Sequence, residues 1–210
     1  MRSIRRIWLA LTVCLMACIA PLRAQIPADV KPILEKVEEW FDDSEGIDIS
    51  MTGKVLAVKT EMRSLSKGDK ALITMSMKVM GKTFDMEVGY DGKQSWTYSP
   101  QEGTLTITAS PDKPKDDRSV DMKLVSEYKR AKMKQTDKAY EITLSEPKSK
   151  DAPAKMVLTV RRSDCMPTQM ELGSGLKKMS LAIKGIKKGV DDSVFVLDTK
   201  NYPNAKIVRK

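Results

Sequence analysis

Residues 72–109, LITMSMKVMGKTFDMEVGYDGKQSWTYSPQEGTLTITA, decide how the chain is read. Ile73, Met75, Met77 and Val79 alternate with Thr74, Ser76 and Lys78, the period of a strand with one apolar face. Met80-Gly81-Lys82-Thr83 then places glycine at the first loop position, as a type II′ hairpin requires. A two-residue loop there pairs Val79 with Phe84, Met77 with Met86 and Met75 with Val88, all apolar, so the register supports itself. At Asp91-Gly92-Lys93 a two-residue loop sets Trp96 against Glu87, whereas a three-residue loop sets it against Val88 and Tyr98 against Met86; burial favours the second. The next turn, Ser99 to Thr104, has four loop residues beginning with Pro100 and pairs Tyr98 with Leu105 and Trp96 with Ile107. Four strands are therefore expected to share one apolar face: Ile73, Met75, Met77, Val79, Phe84, Met86, Val88, Trp96, Tyr98, Leu105 and Ile107. The opposite face is Thr, Ser, Lys, Asp and Glu, so an antiparallel meander wetted on one side is expected.

Upstream lies one helix, with Asp29 as its cap and Pro32 in its first turn. Val30, Ile33, Leu34, Val37 and Phe41 share a face, and Gly46 stops it. From Ile47 the period is two. Downstream, 110–119 is a proline- and charge-rich loop, and Met122, Val125 and Tyr128 suggest a short helix before a strand near Lys129. Further strands fit Tyr140–Leu144, Met156–Val160, Pro167–Leu172, Met179–Ile186 and Val194–Leu197. With this many strands and so few helices, the expected fold is mainly β with α, a strongly curved sheet or incomplete barrel with helices over its mouth.

The first 24 residues stand apart. Arg2, Arg5 and Arg6 precede an uncharged run from Ile7 to Ile19, and Leu22-Arg23-Ala24 ends it, the form of a secretory signal peptide cut after Ala24. Leu15-Met16-Ala17-Cys18 offers a second reading, a lipobox in which Cys18 becomes a lipidated N-terminus; the apolar Ile19-Ala20-Pro21-Leu22 that follows is a poor tether. Residues 25–210 are expected to form a single domain. Removing residues 1–24 takes four arginines and no acid, so the formal charge falls from +9 to 9 − 4 = +5. What remains is interspersed with acids and lacks an aromatic-interleaved basic stripe, which argues against nucleic acid. Cys165 is then the one cysteine left, so the exported domain has no internal disulfide.

The chain has no histidine, which removes imidazole-based triads and His-ligated metals; no carboxylate or Ser-Lys motif takes their place. Neither an enzyme nor a cofactor is expected. The pairs Asp42-Asp43, Asp116-Asp117 and Asp191-Asp192 read as solvated loops and helix ends, and Lys177-Lys178 and Lys187-Lys188 as a soluble surface in preference to a docking site for anionic lipid or an acidic partner. Cys165, in a turn before Met166-Pro167, has no second thiol to act with. Fourteen methionines against 5% aromatics describe a soft, adaptable apolar interior.

Asp91-Gly92-Lys93, Trp96, Tyr98, Pro100 and the threonine-rich strand beyond resemble the central hairpin of the periplasmic outer-membrane lipoprotein carriers, the LolA-like family. Asp192-Ser193-Val194-Phe195, Asp198, Tyr202-Pro203 and Ile207-Val208 resemble its tail, and Lys67-Gly68-Asp69-Lys70 its Bacteroidetes-type version. The resemblance implies an unclosed β-barrel capped by an N-terminal helix and short lid helices around a cavity for lipoprotein acyl chains. It also implies a monomer that takes cargo from an inner-membrane ABC-type lipoprotein release complex and delivers it to an outer-membrane acceptor or membrane. On that reading Ile73, Met75, Met77, Phe84, Met86, Val88, Trp96, Tyr98, Leu105 and Ile107 line the cavity; a lipidated Cys18 would instead make the chain an anchored acceptor or lipid sensor. One departure stands out: the arginine-proline pair that latches the lid in proteobacterial members is absent, since no proline follows Arg63 or Lys70.

Overall fold

A computed structural model describes residues 26–55, 58–109, 124–150, 152–173 and 179–210. The signal peptide, Cys18, the 110–119 loop with Asp116-Asp117, Met122 and Lys177-Lys178 lie outside the described residues.

The first helix, α1 (Lys31–Phe41), buries Leu34, Val37 and Phe41 on one side. Asp29 is not its cap: the helix starts after Val30 with no side-chain cap, and its first turn is closed from Pro27, whose carbonyl accepts from the Val30 and Lys31 amides at 3.0 and 3.1 Å. Six strands follow: β1 (Ile47–Val55), β2 (Val58–Lys67), β3 (Lys70–Val79), β4 (Lys82–Tyr90), β5 (Gln94–Ser99) and β6 (Thr104–Ala109). A short helix α2 (Leu124–Glu127) leads into β7 (Tyr128–Gln135), β8 (Ala139–Pro147), β9 (Lys155–Arg161), β10 (Pro167–Leu172) and β11 (Met179–Lys188). Of residues 194–197, expected as a strand, Val194 and Phe195 instead close a 3₁₀-helix at Asp192–Phe195, and 196–197 follow it outside any strand. The Asp191 carboxylate accepts from the Ser193 amide and starts that turn, and Phe195 is fully buried. A second 3₁₀ turn, Thr199–Asn201, precedes β12 (Lys206–Arg209).

All twelve strands form one sheet in the order β12-β6-β5-β4-β3-β2-β1-β11-β10-β9-β8-β7. Every pairing is antiparallel except that of β12 with β6. β12 and β7 are its two edges, so the barrel is incomplete. The main core lies where α1 packs on β1 and β7–β11, uniting Leu34, Val37 and Phe41 with Ile49, Ile142, Leu158 and Leu181.

Two hairpins differ from the expected registers. At the first, Met80 and Gly81 both take positive φ, 49° and 79°, so they form the loop and Val79 opposes Lys82. Met77 therefore faces Phe84, Met75 faces Met86 and Ile73 faces Val88. The shift is even, so each side chain keeps its face. At the second, the Asp91 carboxylate accepts from the Lys93 and Gln94 amides, both at 2.9 Å, and Tyr90 opposes Ser95. Trp96 consequently lies against Gly89 rather than Val88, and Tyr98 against Glu87 rather than Met86. That offset is odd and reverses the face of everything after it. Gly89 is what admits it: a Cβ there would stand 2.0 Å from the Trp96 ring.

Candidate functional site

The registers build a row that sequence periodicity within one strand does not show. Met51 opposes Met62, Met62 opposes Met75, and Met75 opposes Met86, four methionines side by side across β1–β4. The next rows on the same face carry Ile49, Ser64, Ile73 and Val88 on one side, and Thr60, Met77 and Phe84 on the other. This is the face on which α1 sits, because Ile49 and Met51 belong to the core beneath it.

Coverage ends partway along. Met51 is buried, Met62 packs against the core edge, and the cluster stops there among the described residues. Ile73, Met75, Met77, Met86 and Val88 are half-exposed, and Phe84 is 40% exposed. The apolar face thus runs out from under the helix as an open shelf of flexible side chains. β2 thins it with hydroxyls: Thr60, Ser64 and Ser66 are buried, and the Ser66 Oγ has no hydrogen-bond partner among the described residues.

The structure brings six of the ten expected lining residues together here: Ile73, Met75, Met77, Phe84, Met86 and Val88. The expectation of one shared face is corrected for Trp96, Tyr98, Leu105 and Ile107, which project to the other side. Trp96, Leu105 and Ile107 are 2%, 0% and 2% exposed, packed with Leu72, Leu197, Tyr202 and Ala205 as a second core beneath the C-terminal tail. Glu87 pins that core by accepting from the Trp96 indole at 3.0 Å and from the Tyr202 hydroxyl. Burial, and then the Glu87 carboxylate, raise Tyr202 well above the ordinary tyrosine range. Met51 and Met62 were missed by sequence reasoning; the signal was their equal distance from the β1–β2 connection, four positions before Val55 and four after Val58.

Beyond that second core the reverse face is polar. Ser50, Arg63, Thr74, Glu87 and Tyr98 form one row and Thr52, Glu61, Ser76 and Asp85 the next, bordering a groove of about 470 Å³ that crosses five strands and is also lined by Met51, Met62, Met75 and Met86, which stand between the two rows. Arg63 is engaged there with Asp48, at 2.9 and 2.8 Å through Nε and Nη2, and Lys70 with Asp192 at 2.6 Å. Among the described residues no group of three or more Cys, Asp or Glu is placed to hold a metal. Cys165 is buried in its turn at φ 57°.

No family model matches the chain, and no curated protein sequence matches it. Among solved structures it is similar to an uncharacterised conserved protein from Thermus thermophilus, with 15% identity over 87% of this chain and 99% of that one and a TM-score of 0.53. LprF from Mycobacterium bovis aligns with 10% identity over 79% and 95% of the two chains at a TM-score of 0.47. A LolA-superfamily protein from Nitrosomonas europaea aligns with 13% identity over 80% and 97% at 0.38. The Thermus likeness shows a shared fold.

Proposed function

We propose that this chain is a periplasmic carrier that takes lipoprotein acyl chains onto the open methionine shelf, ferries them from the inner to the outer membrane, and makes or breaks no bond. The observation that supports it is the continuation of the apolar face beyond α1, where Ile73, Met75, Met77, Met86 and Val88 stay half-exposed. Such a surface is costly to leave wet, and an acyl chain laid on it gains up to about 0.8 kcal/mol for each methylene fully removed from water. Methionine suits a reversible site because its unbranched thioether repacks around chains of different shape.

The cargo and its route come from the resemblance to LolA-like carriers: acylated lipoproteins, received from an ABC-type release complex and passed to an outer-membrane acceptor or membrane. Trp96, Tyr98, Leu105 and Ile107 support the shelf indirectly by holding β4–β6 and the tail in place. With Arg63 committed to Asp48, a lid held by an arginine at that position has no free side chain to use. A second reading follows from Leu15-Met16-Ala17-Cys18, an anchored acceptor or lipid sensor on the same fold.

Recovery from the native envelope with intact-mass and N-terminal analysis tests both. A soluble chain beginning at Gln25 with a co-purifying lipoprotein is expected. A triacylated Cys18 in the membrane fraction would replace the shuttle with the anchored acceptor.

A further inference from the structure

Three lysines stand in a single row on the polar side of the sheet. Lys54 opposes Lys59, Lys59 opposes Lys78, and Thr83 continues the row on β4. They wall a concavity of about 570 Å³ together with Thr52, Glu61, Ser76 and Thr83.

Like charges set directly opposite one another destabilise a sheet, and Lys59 is opposed from both sides. Several cations elsewhere have a carboxylate partner: Arg63 with Asp48, Lys67 and Lys70 with Asp192, Arg130 with Glu146. Among the described residues Lys54, Lys59 and Lys78 make no such pair. Glu61 is the one carboxylate lining the concavity and Asp85 continues its row on β4, so three positive charges stand against two negative ones, a net +1. Two adjacent repulsions retained beside a hydroxyl-lined concavity call for a counter-anion.

We propose that this row is a binding site for a phosphate group, as a monoester or diester, borne by a lipid headgroup or free in solution. Ammonium donors from three strands spaced about 4.8 Å apart, with the Thr52, Ser76 and Thr83 hydroxyls, can meet several oxygens of one tetrahedral anion. A planar carboxylate would use fewer of them. The concavity lies on the opposite face from the methionine shelf, so the site stands whether or not the shelf carries acyl chains.

The test compares the purified protein with Lys59→Gln, at the centre of the row, and Lys200→Gln, which removes the same charge from the exposed 199–201 turn. Each is titrated with inorganic phosphate by calorimetry, floated with phosphatidylcholine vesicles with and without phosphatidylglycerol, and melted without ligand. Lys59→Gln is expected to bind about tenfold more weakly, the loss of one charge-assisted hydrogen bond, and to melt higher because two repulsions are gone. Lys200→Gln is expected to do neither. Binding of inorganic phosphate would identify the free anion as a sufficient ligand; binding only of phosphatidylglycerol vesicles would identify the headgroup. Absence of both, or equal loss in Lys200→Gln, would overturn the site. Acyl-probe binding, read on the same samples, is expected to be unchanged in Lys59→Gln, so the two readings fail separately.

Discussion

Placing a carboxylate in the middle of the methionine row separates its role in folding from its role in binding. Met75 lies between Met62 and Met86 and is half-buried. A fully buried methionine contributes about 2–3 kcal/mol, and Met75 is more buried than exposed, so Met75→Asp forfeits about 2 kcal/mol of burial. The poor strand propensity of aspartate adds up to about 1 kcal/mol. A domain with about 5–15 kcal/mol of stability tolerates that sum, and the carboxylate still reaches water. An acyl chain laid along the row removes that water. Dehydrating an unpaired carboxylate costs several kcal/mol, and taking about 3 gives a dissociation constant roughly 100-fold larger. Met75→Leu, which conserves volume, costs less than about 1.5 kcal/mol and should weaken binding by less than about tenfold. The assay is titration of a fluorescent fatty-acyl probe, with urea unfolding of each variant to confirm that it is folded. Wild-type affinity in folded Met75→Asp would refute the shelf as the binding surface.

Trp96→Ala should cost about 3–5 kcal/mol in urea unfolding, because the ring is buried against Leu105 and Ile107; a loss under about 1 kcal/mol would place it outside the core. Gly89→Ala drives a methyl into that ring and should lower stability by about 1–3 kcal/mol, visible as a depressed melting temperature; an unchanged melt would contradict the close approach of strand and indole. Hydrogen bonds first from Lys70 and then from Lys67 hold the Asp192 carboxyl at about 2, below its ordinary 3.8. A depressed carboxyl stabilises the fold fully above its unfolded pKa, and that contribution disappears as pH falls from 3.8 toward about 2. Asp192→Asn should flatten part of the acid limb of a pH–stability curve, and superimposable curves would remove the bridge from the account.

The alternation of residues 73–79 and the even-numbered apolar positions of β4 were legible, since strand period depends only on local sequence. Their partners were not. Reading Gly81 as the first loop residue overlooked that Met80 itself takes positive φ, and the register moved by two, a change that spares every face. The Asp91 turn shifted by one, and parity did the damage. A glycine opposite a tryptophan leaves no mark in an apolar pattern, and the residues that cover Trp96, Leu197 and Tyr202, lie about a hundred positions away. Residues 194–197 read as β because Val194, Phe195 and Val196 favour strands, but the Asp191 cap and the burial of Phe195 override that preference. The methionine row depends on three registers at once, so it becomes visible only when the strands are paired.

The central claim is that acyl chains lie on the methionine face rather than on its polar reverse. Photo-crosslinking with a diazirine-bearing fatty acid, followed by peptide mapping of the labelled sites, reads this directly. Label concentrated on Met75, Met77, Phe84 and Met86 is the expected result. Label concentrated on Arg63, Thr74, Asp85 and Glu87 of the polar reverse, or beneath the 194–205 tail, would contradict it.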